Sequence, residues 1–323
     1  MNAVANRKVL WVTWEKQIRN RSMSRELGVP LFEVLSDQSR MSRYVSCIKR
    51  TLAMLRCERP NVVVCQNPSL VLSLLLLKLR PFFGFKVVID AHFGGVEACN
   101  GSDIFQNVLD HCNRTADLVI VTNEIHACRI RSLGGRGFVC PDPLPNLSEY
   151  RSQVEEVPGK IFLICSYDMD EPYQEVFRAA ALLAPEGFCF FVSGNYRKVG
   201  ISPGGFPNVE FLGFVSEVEF YRHLFSSQVV VDLTECDNCL VCGAYEALEA
   251  GKPLVLSMKK ALQEFFTGGT VFTENRAAEI AAAVVRAHAE RAKLAEECRQ
   301  WVFLERSEMA NRIASLNGIL EKL

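Results

Sequence analysis

No stretch of this 323-residue sequence reaches the ~20 consecutive apolar residues that a membrane-spanning helix needs. The nearest, "LVLSLLLLKLR" at 70–80, is about half that length and reads as a buried or interfacial helix. The amino terminus also lacks a long apolar run ending in small residues, because the run at 9–14 is too short for a secretory signal. A cytoplasmic location is therefore the expectation. There is no internal repeat and no low-complexity tract, and with a net charge of only −1 no nucleic-acid partner is expected.

What is present is ordinary for a soluble globular enzyme: 49% hydrophobic and 23% charged residues, which argues against both disorder and a polytopic membrane protein. The length is about twice that of a usual domain, so two domains are the default and one large α/β unit the alternative. Charge is unevenly spread. The first 60 residues carry 12 Lys/Arg against 5 Asp/Glu, which suits an anion-facing or membrane-facing surface, or else solvated helix faces. The thirteen cysteines are scattered through apolar segments such as "VVVCQN" and "IFLICS" and read as reduced core thiols, not as a disulfide framework.

Short β-branched runs alternate with helix-length stretches. "KVLWVTW", "PLFEVL", "NVVVCQN", "KVVIDAH" and "DLVIVTN" are near-continuously apolar, as parallel strands covered on both faces should be. Helical stretches at 40–57 and 102–115 lie between them, which predicts a parallel sheet. The proline-rich "CPDPLPNLSEY" at 140–150 then reads as an interdomain connection. After it the pattern restarts with strands "KIFLICS", "CFFVSGN", "VEFLGF", "QVVVDLT" and "PLVLS", and helices near 172–184, 216–226 and 241–250. The expected architecture is α/β, two Rossmann-like domains in tandem, with a helix-rich end at 276–323.

Residues 232–257, "DLTECDNCLVCGAYEALEAGKPLVLS", place Cys236, Cys239 and Cys242 at metal-ligand spacing. A zinc or iron–sulfur site normally needs four converging ligands, and no cysteine or histidine follows until His288 and Cys298. The alternative is a ligand loop at the carboxyl end of a parallel strand, feeding a helix amino terminus, where α/β sheets bind anions.

Residues 213–257 resemble the donor-binding half of GT-B glycosyltransferases, particularly the retaining, metal-independent family 4. That group carries a loop glutamate, a second glutamate eight positions later and then a G-x-P turn. Matching Gly251 and Pro253 sets Glu246 at the second glutamate and Asn238 at the first, where the acid is replaced by an amide. The resemblance implies a GT-B fold facing a central cleft, with an acceptor-side domain at 1–148, a donor domain at 149–300 and a carboxyl-terminal helix at 301–323 packing on the first domain. It assigns Glu246 to the ribose hydroxyls and Asn238 to the transferred sugar. A carboxylate suits a vicinal diol, since it can accept two hydrogen bonds.

The same resemblance implies donor contacts at Gly213 and Val215 in "GFVS", at Gly194 and Asn195 in "SGNY", and at Cys239 and Leu240 in the loop, with His92 of "DAHFGG" beside the sugar. At 165–175 the family usually presents an arginine and a lysine to the donor diphosphate, whereas this sequence has Asp168, Asp170 and Glu171. Lys16, Arg19, Arg21 and Arg25 after the first strand are candidate replacements, Arg19 and Arg21 foremost, and Arg197 or Lys198 are others. The implied activity is metal-independent glycosyl transfer from a nucleotide sugar to a hydroxyl acceptor, with no further cofactor. It implies a glycan or lipid-linked glycan acceptor in bacterial surface-polysaccharide or glycoconjugate assembly, and peripheral membrane contact through the first domain. Two other readings stay open: a GT-B-like protein that binds nucleotide or glycan without turnover, and a metal protein built on the three cysteines.

Overall fold

The computed structural model describes residues 7–98, 102–151 and 154–323. The chain divides into two compact units: one runs to Pro143 and takes back Ser307–Leu323, the other is Leu144–Arg306.

In the first unit the β-branched runs become strands β1 (Val9–Thr13), β2 (Leu31–Glu33), β3 (Val62–Asn67), β4 (Lys86–Ala91), β5 (Leu118–Val121) and β6 (Gly137–Val139). They form one parallel sheet in the order β2-β1-β3-β4-β5-β6. Successive side chains point to opposite faces, and each face has its own core. Leu10, Val12, Val63, Cys65, Val87 and Ile89 enter one cluster, while Trp11, Val62, Val64 and Val88 enter the other. This two-sided burial explains why these strands read as continuous apolar runs.

The helices α1 (Ile18–Glu26), α2 (Arg40–Glu58), α3 (Leu70–Phe83), α4 (Phe93–Val96), α5 (Asp103–Thr115) and α6 (Glu124–Ser132) connect these strands. The leucine-rich segment is α3. Leu72, Leu76 and Leu77 are buried in the core and Leu74, Leu75 and Leu79 pack against it, so its apolar side is used on the sheet. No helix among the described residues is long and apolar enough to cross a membrane.

The second unit repeats the plan with β7 (Lys160–Leu163), β8 (Cys189–Ser193), β9 (Val209–Gly213), β10 (Val229–Asp232), β11 (Leu254–Ser257) and β12 (Thr270–Thr273), parallel in the order β12-β11-β10-β7-β8-β9. Its helices are α7 (Tyr173–Leu183), α8 (Glu217–Ser226), α9 (Cys242–Glu249), α10 (Lys260–Phe265) and α11 (Ala277–Ala289). The last helix, α12 (Arg291–Leu320), gives Leu294 to this unit's core. Its later residues Met309, Ile313, Leu316 and Leu320 belong to the core of the first unit, with Trp11 and Met23.

Two short strands escape the sequence pattern. β6 and β12 have three and four residues, and β12 alternates buried with partly buried positions, so neither offers a long apolar run. The reading of the cysteines as core thiols holds for Cys47, Cys65, Cys112, Cys140, Cys165 and Cys298, which are buried, but Cys57, Cys128, Cys189 and Cys242 are exposed. Cys99 lies outside the described residues.

Candidate functional site

In the second unit the ends of β7, β8, β9 and β10 bring the sequence-chosen residues to one edge of the sheet. Gly194 follows β8 with φ +88° and donates its N–H to the carbonyl of Gly213, the last residue of β9, over 3.0 Å. A Cβ at Gly194 would lie 2.0 Å from the Cys165 carbonyl oxygen, so only glycine lets the loops after β7 and β8 approach this closely. Asn195 is exposed next to it, and Val215 is half-buried in the turn before α8.

The loop after β10 is fastened at its base. The Thr234 N–H donates to Ser257 Oγ over 2.9 Å, and Asn275 Nδ2 donates to the Thr234 carbonyl, also over 2.9 Å. Asn238 and Cys239 are half-buried and Leu240 is buried. The Cys239 thiol donates to the Leu240 carbonyl over 3.6 Å. Among the described residues, no group of three His, Cys, Asp or Glu side chains is placed to hold a metal ion.

Glu246 sits on the second turn of α9, and its Oε1 accepts from the Tyr221 hydroxyl at 3.4 Å. Burial pushes its carboxyl up to about 7. The Tyr221 hydroxyl counteracts this and the charge of Glu217 adds to it. Tyr221 is itself held against Tyr150, with ring centroids 4.4 Å apart. Glu246 is thus a half-buried carboxyl group with one weak donor, and its remaining acceptor positions suit a pair of hydroxyls.

Sequence reasoning missed Asp232. Asp232 ends β10 fully enclosed. Burial, then the charges of Glu171 and Glu246, raises its pKa well above the ordinary carboxylate range, while the Gly243 and Ala244 amides pull it back. Those amides are the amino end of α9. The Asp232 carboxyl thus lies against that helix terminus, and a Cβ at Gly243 would come within 2.6 Å of its Oδ2. The signal was available: Asp232 is an acid inside an otherwise apolar strand. Lys198, after β8, pairs with Asp168, and Lys259 pairs with Asp237 at 3.1 Å.

In the first unit both candidate arginines have acidic partners within the chain. Arg19 is 4% exposed and its guanidinium is enclosed: Nε and Nη2 grip Asp90, Nη1 donates to Asp142 at 2.9 Å, and Nη2 donates to the Cys140 carbonyl at 2.9 Å. A fork used in this way joins the ends of β4 and β6 and is enclosed among its protein partners. Arg21 is on the surface in a two-point pair with Glu33, at 2.7 and 2.8 Å. His92, just after β4, lies 4.0 Å from Asp90. Burial, and then the Arg19 charge, hold it below the usual imidazole range, so it is neutral at pH 7.

No protein-family model and no curated protein matches the chain. Solved structures do. The Anabaena protein HepE, in complex with UDP and glucose, superposes with a TM-score of 0.74 at 12% identity, covering 98% of this chain and 100% of that one. The sucrose-phosphate synthase of Thermosynechococcus elongatus gives 0.76 at 15% identity, covering 97% and 98%. The UDP-GlcNAc 2-epimerase of Neisseria meningitidis, bound to UDP-GlcNAc, gives 0.64 at 12% identity, covering 98% and 100%. These likenesses establish the fold as GT-B: α/β, with two Rossmann-like units.

Proposed function

We propose that this chain is a glycosyltransferase that takes its sugar from a uridine-type nucleotide sugar and passes it to a hydroxyl acceptor with retention. The observation that carries the reading is Glu246: a carboxyl group on the helix after β10, raised to about 7 by burial and contacted only weakly by Tyr221, in a fold shared with proteins solved with UDP and UDP-sugars.

In this reading Glu246 accepts both ribose hydroxyls, the main chain at Gly213 and Val215 meets the base, and the loop with Asn238, Cys239 and Leu240 borders the sugar. Gly194 and Asn195 flank the phosphates. The bond from the anomeric carbon to the diphosphate oxygen breaks, a bond from the acceptor oxygen forms on the same face, and the acceptor proton passes to the departing phosphate. No protein nucleophile is required, and preorganised donors around the leaving group lower the barrier. The acceptor is a glycan or lipid-linked glycan. The basic surplus in residues 1–60 favours one presented at an anionic surface.

Incubation with UDP-sugars and a panel of glycan acceptors, followed by NMR of the products, tests this reading. A new glycoside with the donor's anomeric configuration is expected. A product epimerised at carbon 2, with no new glycosidic bond, would instead align the chain with its epimerase neighbours. A second reading, binding without turnover, is favoured by the acids at 168, 170 and 171, and predicts UDP binding with no product.

A further inference from the structure

The loop between β7 and α7 already holds an anion of its own. Tyr167 adopts a left-handed backbone, φ 60°, with its ring buried against Tyr173, and the amides on either side of it, Ser166 and Asp168, share one acceptor. That acceptor is Glu171. Its Oε2 receives the Ser166 N–H at 2.9 Å, the Asp168 N–H at 3.0 Å and the Cys165 thiol at 3.3 Å, and its Oε1 receives the Ser166 hydroxyl at 3.0 Å.

Backbone amides gathered on one oxygen in a turn of this kind form an anion nest. A phosphoryl oxygen asks the same of its donors as a carboxylate oxygen does. The nest lies at the carboxyl end of β7, between β10 and β8 near the middle of the sheet, beside the close approach of Gly194 to Cys165 and beside Lys198. The preceding residue is anchored separately: Asp170 accepts from Thr234 Oγ1 at 2.9 Å, and its carbonyl accepts from the Glu235 N–H at 2.6 Å. Glu171 can therefore leave by rotating its side chain while the loop stays in place.

We propose that Glu171 is a resident competitor for the phosphates of the ligand: its carboxylate fills the nest, and a phosphoryl group enters only when Glu171 swings out. The identity of the natural ligand rests on the nucleotide-sugar reading, but the nest itself does not, since a small phosphate reports on it directly. The competitor accounts for acids where a cation was expected. Bare amides and Lys198 serve the phosphate, and the acid sets a threshold that only a strongly anionic group passes.

The test is calorimetric titration of pyrophosphate, UDP and uridine into the wild-type protein, Glu171→Ala and Glu171→Gln, without divalent metal. Pyrophosphate and UDP should bind Glu171→Ala ~10-fold tighter or more, a gain of about 1.4 kcal/mol, and Glu171→Gln by a smaller factor, with uridine unchanged across the three. Equal pyrophosphate and UDP affinities in wild type and Glu171→Ala would overturn the proposal. Should Glu171→Ala fail to fold, a folded Glu171→Gln with no gain for pyrophosphate would overturn it equally. A pyrophosphate gain with no uridine or UDP binding in any variant would uphold the nest and contradict the nucleotide reading.

Discussion

The carboxyl edges of the two sheets place charge at corresponding positions and treat it in opposite ways. In the first unit Arg19 is paired with both Asp90 and Asp142, and Trp11, Asn20, Thr13 and Gln66 form a chain of hydrogen bonds beside them. In the second unit Asp232 and Glu246 are two acids with no cation between them, each raised by burial, and the charge of Glu246 raises Asp232 further. At the first edge the guanidinium is held by partners within the chain, although Asn67 Oδ1 and His92 Nε2 beside it are buried without a hydrogen bond; the second gains from hydrogen-bond donors brought by a ligand. A charged residue after a parallel strand therefore does not mark a ligand contact by its type. Its partners decide, and Arg19 and Glu246 are the clearest pair of examples.

Breaking the closed edge should have the largest effect. Arg19→Ala leaves Asp90 buried without its cation and should cost about 3–5 kcal/mol in denaturant unfolding, with nucleotide affinity retained wherever the protein is folded. A stable variant that had lost affinity for diphosphates only would return Arg19 to the ligand. At the open edge, Glu246→Ala removes a charged acceptor of two hydroxyls. It should cost about 1.5–3 kcal/mol of nucleotide binding with little loss of stability, as read by titration and melting of the same sample. Gly194→Ala should destabilise by about 1–3 kcal/mol, because its Cβ would meet the Cys165 carbonyl and its φ is positive; a variant that melts with the wild type would refute that close approach.

The pH dependence is smaller and sharpens the contrast. The Glu246 carboxyl titrates near 7 in the folded protein against an ordinary 4.5, so the folded state holds its proton longer than the unfolded chain does. Its contribution to stability is fully present below 4.5 and is lost as pH rises through about 7. Nucleotide affinity should move the other way, rising through the same window as the two-acceptor carboxylate forms. Both slopes should flatten in Glu246→Gln when the two proteins are compared by melting and by titration from pH 5 to 8. Smallest of all, Cys239→Ser should change stability by no more than about 0.5 kcal/mol, and a larger loss in melting temperature would show that the thiol does more than pack.

Much of the architecture was legible because two-sided burial writes parallel strands as apolar runs, as in "NVVVCQN", where all six residues of β3 are buried. The short β6 and β12 were not legible, since three or four residues with partly buried positions carry no distinctive pattern. At the candidate site, the spacing from Glu246 to the Gly251–Pro253 turn placed the helix and its acid. The pairing of Arg19 could not be read, because Asp90 and Asp142 are 71 and 123 residues away in sequence. Neither could the seat of Glu171, which depends on a left-handed tyrosine, a conformation that the sequence does not announce.

The most direct test of the central claim is the titration of UDP and of uridine into the wild-type protein and Glu246→Ala at pH 8, where the carboxyl is ionised. Saturable binding of both in the wild type, with a loss of roughly tenfold or more for each in a folded Glu246→Ala, is the predicted result. Equal affinity in the two proteins, or no binding to a folded wild type, would contradict the assignment of the open edge as the nucleotide site.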